Sequence, residues 1–313
     1  MRRKIIKQGH QAYTVTLPIK WIRENNVDQE IILKEQDNSL IITPEKTSKT
    51  VLSEISLDLQ DFSKTIIKNL IFQPYRKGFD KITLNFNNKE QLKQIQETSK
   101  TLLGFGIIEK TENKVILQNI AEPSSEQYEI ILRRVFLQIK EESKTMLESI
   151  KEKNNLLPNF EEQDIEIRKY TNYLRRVIIR NQVGGRRQSY MLFLLVSTLS
   201  YIHQAYLFLY KAFFQEPKVI SKETLDIFNQ VNTLFNALYE SNYKKDLVKV
   251  VSIIDAKKNL IEKVIYNQLK ISKGIENIIL YHLGEIVRLI QYGSNAALFQ
   301  LLDYDNDQDS SKS

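Results

Sequence analysis

From Ser124 to Leu302 the apolar residues keep a helical period. The run is interrupted only at Leu157-Pro158, Gly184-Gly185, Glu216-Pro217, Ser241-Asn242 and Gly274. A stretch this long with so few breakers has little choice but to form a helical bundle. The breaks divide it into six segments, about 126–153, 161–181, 187–214, 223–241, 244–270 and 274–302. Short breaks imply antiparallel neighbours. The six also read as three plus three. Asn172, Val177-Ile178 and Asn181-Gln182 are echoed by Asn259, Val264-Ile265 and Asn267-Gln268, with one residue deleted near the end. Such an echo is a sign of a duplicated module.

The residues before this run have other periods. Over 47–121 the pattern is mixed α/β. Strands are expected at Val51–Leu57 and Lys81–Phe86, and helices at Asp61–Gln73 and Glu90–Leu103. Tyr75-Arg76-Lys77-Gly78 reads as the turn that ends the first helix. Ile107–Lys110 and Lys114–Gln118 form a hairpin around Thr111-Glu112-Asn113. Over 1–46 the elements are shorter still. Tyr13, Val15 and Leu17 alternate with Thr14 and Thr16, a strand pattern. Pro18 suits the first turn of a helix carrying Ile19 and Ile22. Ile31-Ile32-Leu33 and Leu40-Ile41-Ile42 flank the turn Gln36-Asp37-Asn38-Ser39, a second hairpin. A β-α-β-β piece of this size buries little by itself, so a second copy is expected.

Charge is unevenly placed. The chain carries a net +7, yet its first acidic residue is Glu24. Arg2, Arg3, Lys4, Lys7, Lys20 and Arg23 precede it. Doubled on a dimer they form one positive face, which suits DNA phosphates because binding releases condensed counterions. On charge alone, a solvated strand whose lysines guard its edge fits as well. There are no cysteines, which excludes disulfides, thiolate metal sites and cysteine nucleophiles. The N-terminus lacks the apolar core of a signal peptide, and a cytoplasmic location is expected. Tyr190 to Tyr210 has no residue charged at neutral pH and is long enough to cross a bilayer. Ser197, Ser200 and Gln204 recur on it at helical spacing, so the central helix of a bundle is the expected reading, without membrane insertion.

Two resemblances extend these readings. Lys7, Gly9, Tyr13-Thr14-Val15-Thr16-Leu17-Pro18 and Trp21-Ile22, followed by Asn26 to Leu33 and Ser39 to Ile42, resemble the SpoVT-AbrB family. That resemblance implies a swapped-hairpin dimer that binds DNA, with Arg3, Lys7, His10 and Lys20 as contacts. The full candidate set, joining charge to resemblance, is Arg2, Arg3, Lys4, Lys7, His10, Lys20 and Arg23. The family usually has Gly-Asp before the second hairpin, where this chain has Gln29-Glu30. The segments PYRKGFDKITL and LLGFGIIEKTENKVILQNI resemble the connecting region of archaeal PhoU-domain regulators, and the helical run resembles the PhoU domain. This implies a regulator of phosphate uptake that contacts a transporter or signalling component.

The expected architecture is therefore multidomain α+β. A swapped-hairpin β domain (1–46) precedes a small α/β connecting region (47–121). An all-α six-helix bundle of two three-helix repeats (122–302) and a disordered acidic tail (303–313) follow.

PhoU domains often carry Glu and Asp four apart on the third helix of each repeat, where two carboxylates on one face can hold a hard cation. Here the matching stretches are Leu199 to Gln204 and Leu283 to Arg288, and the acids are replaced by Ser200 and Gln204, then Gly284 and Arg288. Asp164, Glu166 and Asp255 remain on the second helices as remnants, and no metal or other cofactor is expected. His203 and His282 read as packed or hydrogen-bonded. No nucleophile–base pair, Walker or dinucleotide signature is present, so no enzymatic activity is expected. Two functions follow: a DNA-binding regulator of phosphate homeostasis, or an adaptor that uses its N-terminal domain only to dimerise.

Overall fold

The computed structural model describes residues 2–9, 12–27, 29–36, 39–44, 53–121, 127–154 and 157–309, with main chain only at 34, 36, 157, 158, 186 and 303–309. The chain divides into two compact units, Met1–Leu52 and Ser53–Ser313.

The first unit contains two separate two-stranded sheets. Strands β1 (Ile5–Gln8) and β2 (Ala12–Val15) pair antiparallel, with Ile5 opposite Val15 and Lys7 opposite Tyr13. Helix α1 (Ile19–Glu24) follows Pro18, whose carbonyl accepts from Ile22 N–H at 3.1 Å. Asn26 takes a left-handed φ of 49° just past α1. Strands β3 (Ile31–Gln36) and β4 (Ser39–Pro44) form the second hairpin, with Leu33 opposite Ile42. Asp37-Asn38 of its expected turn lie outside the described residues.

The second unit begins with a four-stranded sheet in the order β5-β6-β8-β7. Its strands are β5 (Glu54–Asp58), β6 (Lys81–Asn85), β7 (Phe105–Lys110) and β8 (Lys114–Asn119). The β5–β6 pair is parallel and is joined by helix α2 (Lys64–Lys77); the other pairs are antiparallel. Helix α3 (Lys89–Ser99) connects β6 to β7, and Asn88 caps it by accepting from Gln91 N–H at 2.9 Å. Ile82 and Leu84 of β6 and Val115 and Leu117 of β8 are buried with Ile67, Ile71 and Ile95 from the two helices. Of the strand expected at 51–57, Val51 and Leu52 lie outside the described residues.

The helices that follow are α4 (Tyr128–Glu152), α5 (Leu157–Asn181), α6 (Gly185–Gln215) and α7 (Lys222–Lys244). After them come α8 (Leu247–Lys258), a π-helical stretch (Asn259–Ile265), α9 (Tyr266–Ile271) and α10 (Ile275–Asp309). Helix α6 packs on α4, α5 and α10, and α10 also packs on α7 and α8. This explains the apolar look of 190–210. An 18-residue window of α6 is apolar enough to cross a membrane, and 67% of that window is buried inside the protein. The echoed Asn259 to Ile265 falls on the π-helical stretch, whereas Asn172 to Ile178 is ordinary α-helix.

Three expectations are corrected. Helix α2 does not stop at Gln73 but runs through Pro74 to Lys77, and Gly78 caps it with φ 98°. Tertiary packing overrides the proline: Tyr75 is fully buried and donates to Leu103 O at 2.9 Å. Helix α7 does not stop at Ser241-Asn242; it continues to Lys244, and Lys245 takes the left-handed turn. The tail from 303 was expected to be disordered, but α10 continues through Asp309. Once a helix is nucleated, each added residue brings its own hydrogen bond. Residues 310–313 lie outside the description.

Arginines, the buried Arg176 foremost, join the α/β layer to the helices. Arg176 of α5 donates to Tyr75 O at 3.0 Å and Phe79 O at 2.7 Å, and its guanidinium lies over the Tyr75 and Phe105 rings. Arg176 and Arg180 both reach Asp80, which also accepts from the Ser53 hydroxyl at 3.0 Å. Arg76 makes a two-pronged contact with Asn172 Oδ1 at 2.9 and 2.7 Å. Backbone carbonyls at and just past the end of α2 thus find donors on α5.

Candidate nucleic-acid interface

In Met1–Leu52 no described residue is buried. Ile5 is 69% exposed, Tyr13 64%, Leu33 58% and Leu40 63%. Strand residues directly opposite each other share a face, so Ile5, Val15 and Tyr13 lie on one face of the first hairpin with Lys7. Ile31, Leu33, Ile42 and Leu40 likewise share a face of the second hairpin. These are apolar faces without a core, and a unit of this size cannot be stable in that condition by itself.

The cations surround the exposed hairpin. Arg2, Arg3 and Lys4 are exposed in irregular chain before β1, Lys7 is exposed on β1, and Lys20 and Arg23 are exposed on α1, three residues apart and so on neighbouring positions of one helix side. Among the described residues Lys20 has one weak neighbour, Glu24, at 3.7 Å. His10 lies outside the described residues. Exposed cations without buried counter-ions are available to a polyanion, and α1 and β1 bring them into one small unit.

The proposed metal remnants are not brought together. Asp255 is exposed on α8. Glu166 accepts from Arg134 at 2.8 Å, Gln138 at 2.6 Å and the Tyr170 hydroxyl at 2.8 Å. Asp164 accepts from Arg168 and faces His203 Nε2 at 3.1 Å. Among the described residues no group of three or more His, Cys, Asp or Glu is placed to hold a metal ion.

His203 is packed and hydrogen-bonded, as expected, but sequence reasoning missed its two partners. Its Nδ1 lies 2.8 Å from Glu142 of α4, while Nε2 meets Asp164 of α5. The ring's two nitrogens point in opposite directions, so the imidazole bridges two acids. Burial alone would depress the His203 pKa, but hydrogen bonds to Asp164 and Glu142 outweigh it and lift it to about 9. Burial pushes the Glu142 carboxyl up against the pull of His203. Burial also acts upward on Asp164, but His203 and Arg168 hold it below the usual carboxylate range. The available signal was Glu142 itself, an acid on the apolar stripe of α4.

A pH dependence follows. A raised histidine pKa gives stability that is fully present below the unfolded value of about 6.5 and is lost as pH rises through about 9. The loss is on the order of 3 kcal/mol. Thermal melts from pH 6.5 to 9 should show the wild type losing stability and His203→Gln losing much less. Equal slopes would contradict the bridge.

Residues 6–50 match the family described as Antidote-toxin recognition MazE, bacterial antitoxin. The N-terminal unit is thus of the AbrB/MazE type, in keeping with the SpoVT-AbrB resemblance. The match ends before β5. Comparison with curated proteins and with solved structures returned no match.

Proposed function

We propose that this chain is a dimeric, non-enzymatic DNA-binding regulator whose N-terminal unit grips the duplex through phosphate contacts. The observation that carries this reading is the pairing of an apolar hairpin surface that needs a second copy with a cation cluster that has few counter-ions. The AbrB/MazE-type match over 6–50 supports it. Two copies interlocked through the hairpins double the charge of Arg2, Arg3, Lys4, Lys7, Lys20 and Arg23 on one body. The swapped-hairpin arrangement, and a place for His10 among the contacts, belong to this proposal.

The second unit is proposed as the signal-receiving part. Its resemblance to PhoU-domain regulators points to phosphate status as the signal and to a transporter or signalling component as the partner. The two-repeat bundle is part of the same reading. An adaptor that only dimerises through its first unit is the second reading, favoured by Gln29-Glu30 in place of the family's Gly-Asp.

Binding of the full chain to random duplex DNA, followed by anisotropy across a salt series, separates the two. The regulator reading predicts affinity that falls steeply with salt, by about 0.9 log units per log unit of salt for each phosphate contact. Lys7→Gln removes one cation from each protomer and should lower that slope by about 2. The same change at Lys222, on α7, should leave it unaltered. Absent or salt-independent binding by an intact dimer would favour the adaptor.

A further inference from the structure

We propose that a cavity between α2, the end of α3 and α5 binds a small tetrahedral oxyanion of the phosphate or phosphate-monoester class. The cavity measures about 260 Å3. That is below the range of about 300–1,000 Å3 typical of sites for drug-sized ligands. Lys68 from α2, Lys100 from just past α3 and Arg168 from α5 converge on it.

Two carboxylates also line the cavity, and each has its own cation. Glu97 pairs with Lys64 at 3.3 Å, while Asp164 is held by Arg168 and His203. Lys68 and Lys100 make no ion pair among the described residues, so a positive balance remains. Burial, then the like charges of Arg168 and Lys64, depress the Lys68 pKa despite Glu97 and Asp164. An anion beside Lys68 would relieve that repulsion.

Thr98 supplies an independent observation. It lines the cavity, is 2% exposed, and its hydroxyl finds no hydrogen-bond partner among the described residues. Thr101 is already committed, donating to Thr98 O at 2.7 Å. Buried hydroxyls are nearly always partnered, and an exception calls for a reason. Phe72 and Ile165 complete the lining with apolar surface, which strengthens charge interactions. Lys68 and Lys100, uncommitted donors from α2 and the end of α3, suit an anion that accepts through several oxygens. A planar carboxylate is served best by one two-pronged guanidinium, and Arg168 already serves Asp164.

Calorimetric titration of the full chain with inorganic phosphate at constant ionic strength tests this, with sulfate and acetate as comparators. Phosphate should bind saturably at one site per chain, sulfate should compete, and acetate should not. Lys68→Met should weaken phosphate binding by about tenfold or more. Thr98→Val should weaken it severalfold while leaving the ligand-free chain at least as stable, because the unpartnered hydroxyl is gone. Heats that do not saturate by about 10 mM phosphate, or unchanged affinity in either variant, would overturn the proposal. DNA does not enter the measurement, so failure here leaves the regulator reading untouched.

Discussion

Asp80→Ala is expected to destabilise the second unit by about 3–5 kcal/mol, the usual cost of breaking a buried ion pair by removing one member. Asp80 is 5% exposed and takes Arg176, Arg180 and Ser53 together. Arg176 is 1% exposed and cannot escape to water when Asp80 is removed. Its bonds to Tyr75 O and Phe79 O persist. Burial raises the Asp80 pKa, yet Arg180 and Ser53 outweigh that and hold it below the ordinary carboxylate value. The stability it brings is therefore present above the unfolded pKa of about 3.9 and is lost as pH falls through the lower folded value. Asp80→Asn should flatten that acid limb. Urea denaturation at pH 7 and pH 3 checks both variants. A loss under 1 kcal/mol for Asp80→Ala would mean that the α/β layer and the helices hold together without this joint.

The second large effect is expected in the first unit. Leu33→Asp, or Val15→Asp on the other hairpin, should abolish its folding while leaving the second unit helical. Each buried apolar side chain contributes about 1.5–3 kcal/mol, and symmetry counts it twice. One substitution should therefore weaken the dimer by roughly 3–6 kcal/mol, about a hundredfold or more in dissociation constant. DNA binding should disappear with it, because the two sets of cations are then no longer held together. Far-UV helicity should stay near wild type, since α4 to α10 lie in the other compact unit. A dimer that survives both substitutions would show that these faces are not its interface.

Much of the fold was legible because its signals are local. The alternation of Tyr13, Val15 and Leu17, the proline before α1 and the breaks at Gly184-Gly185 and Glu216-Pro217 each act over a few residues. The extensions of α2 past Pro74 and of α7 past Ser241-Asn242 were not legible. Pro, Ser and Asn are breakers by propensity. At Pro74 distant packing decided otherwise, with Tyr75 locked by Leu103 and Arg176, while Ser241 satisfies its hydroxyl locally by donating back to Leu238 O at 2.9 Å inside the helix. The π-helical stretch left no visible mark either.

The sites divide in the same way. A run of cations with no acid before Glu24 is visible in one dimension, and so are exposed hairpins too short to bury anything. The Glu142–His203–Asp164 bridge and the Asp80–Arg176 joint are not. His203 stands 61 residues from Glu142 and 39 from Asp164. Only the packing of α4, α5 and α6 makes one buried network of them. Asp164 was named a remnant through the PhoU resemblance, and nothing in one dimension places the His203 imidazole beside it.

The mass of the full chain in solution, by sedimentation equilibrium from micromolar concentrations upward, tests most directly whether the N-terminal hairpins are half of a shared core. The account predicts a species of twice the 36.8 kDa chain that persists on dilution through the micromolar range. A 36.8 kDa monomer across that range, binding DNA or not, would contradict it.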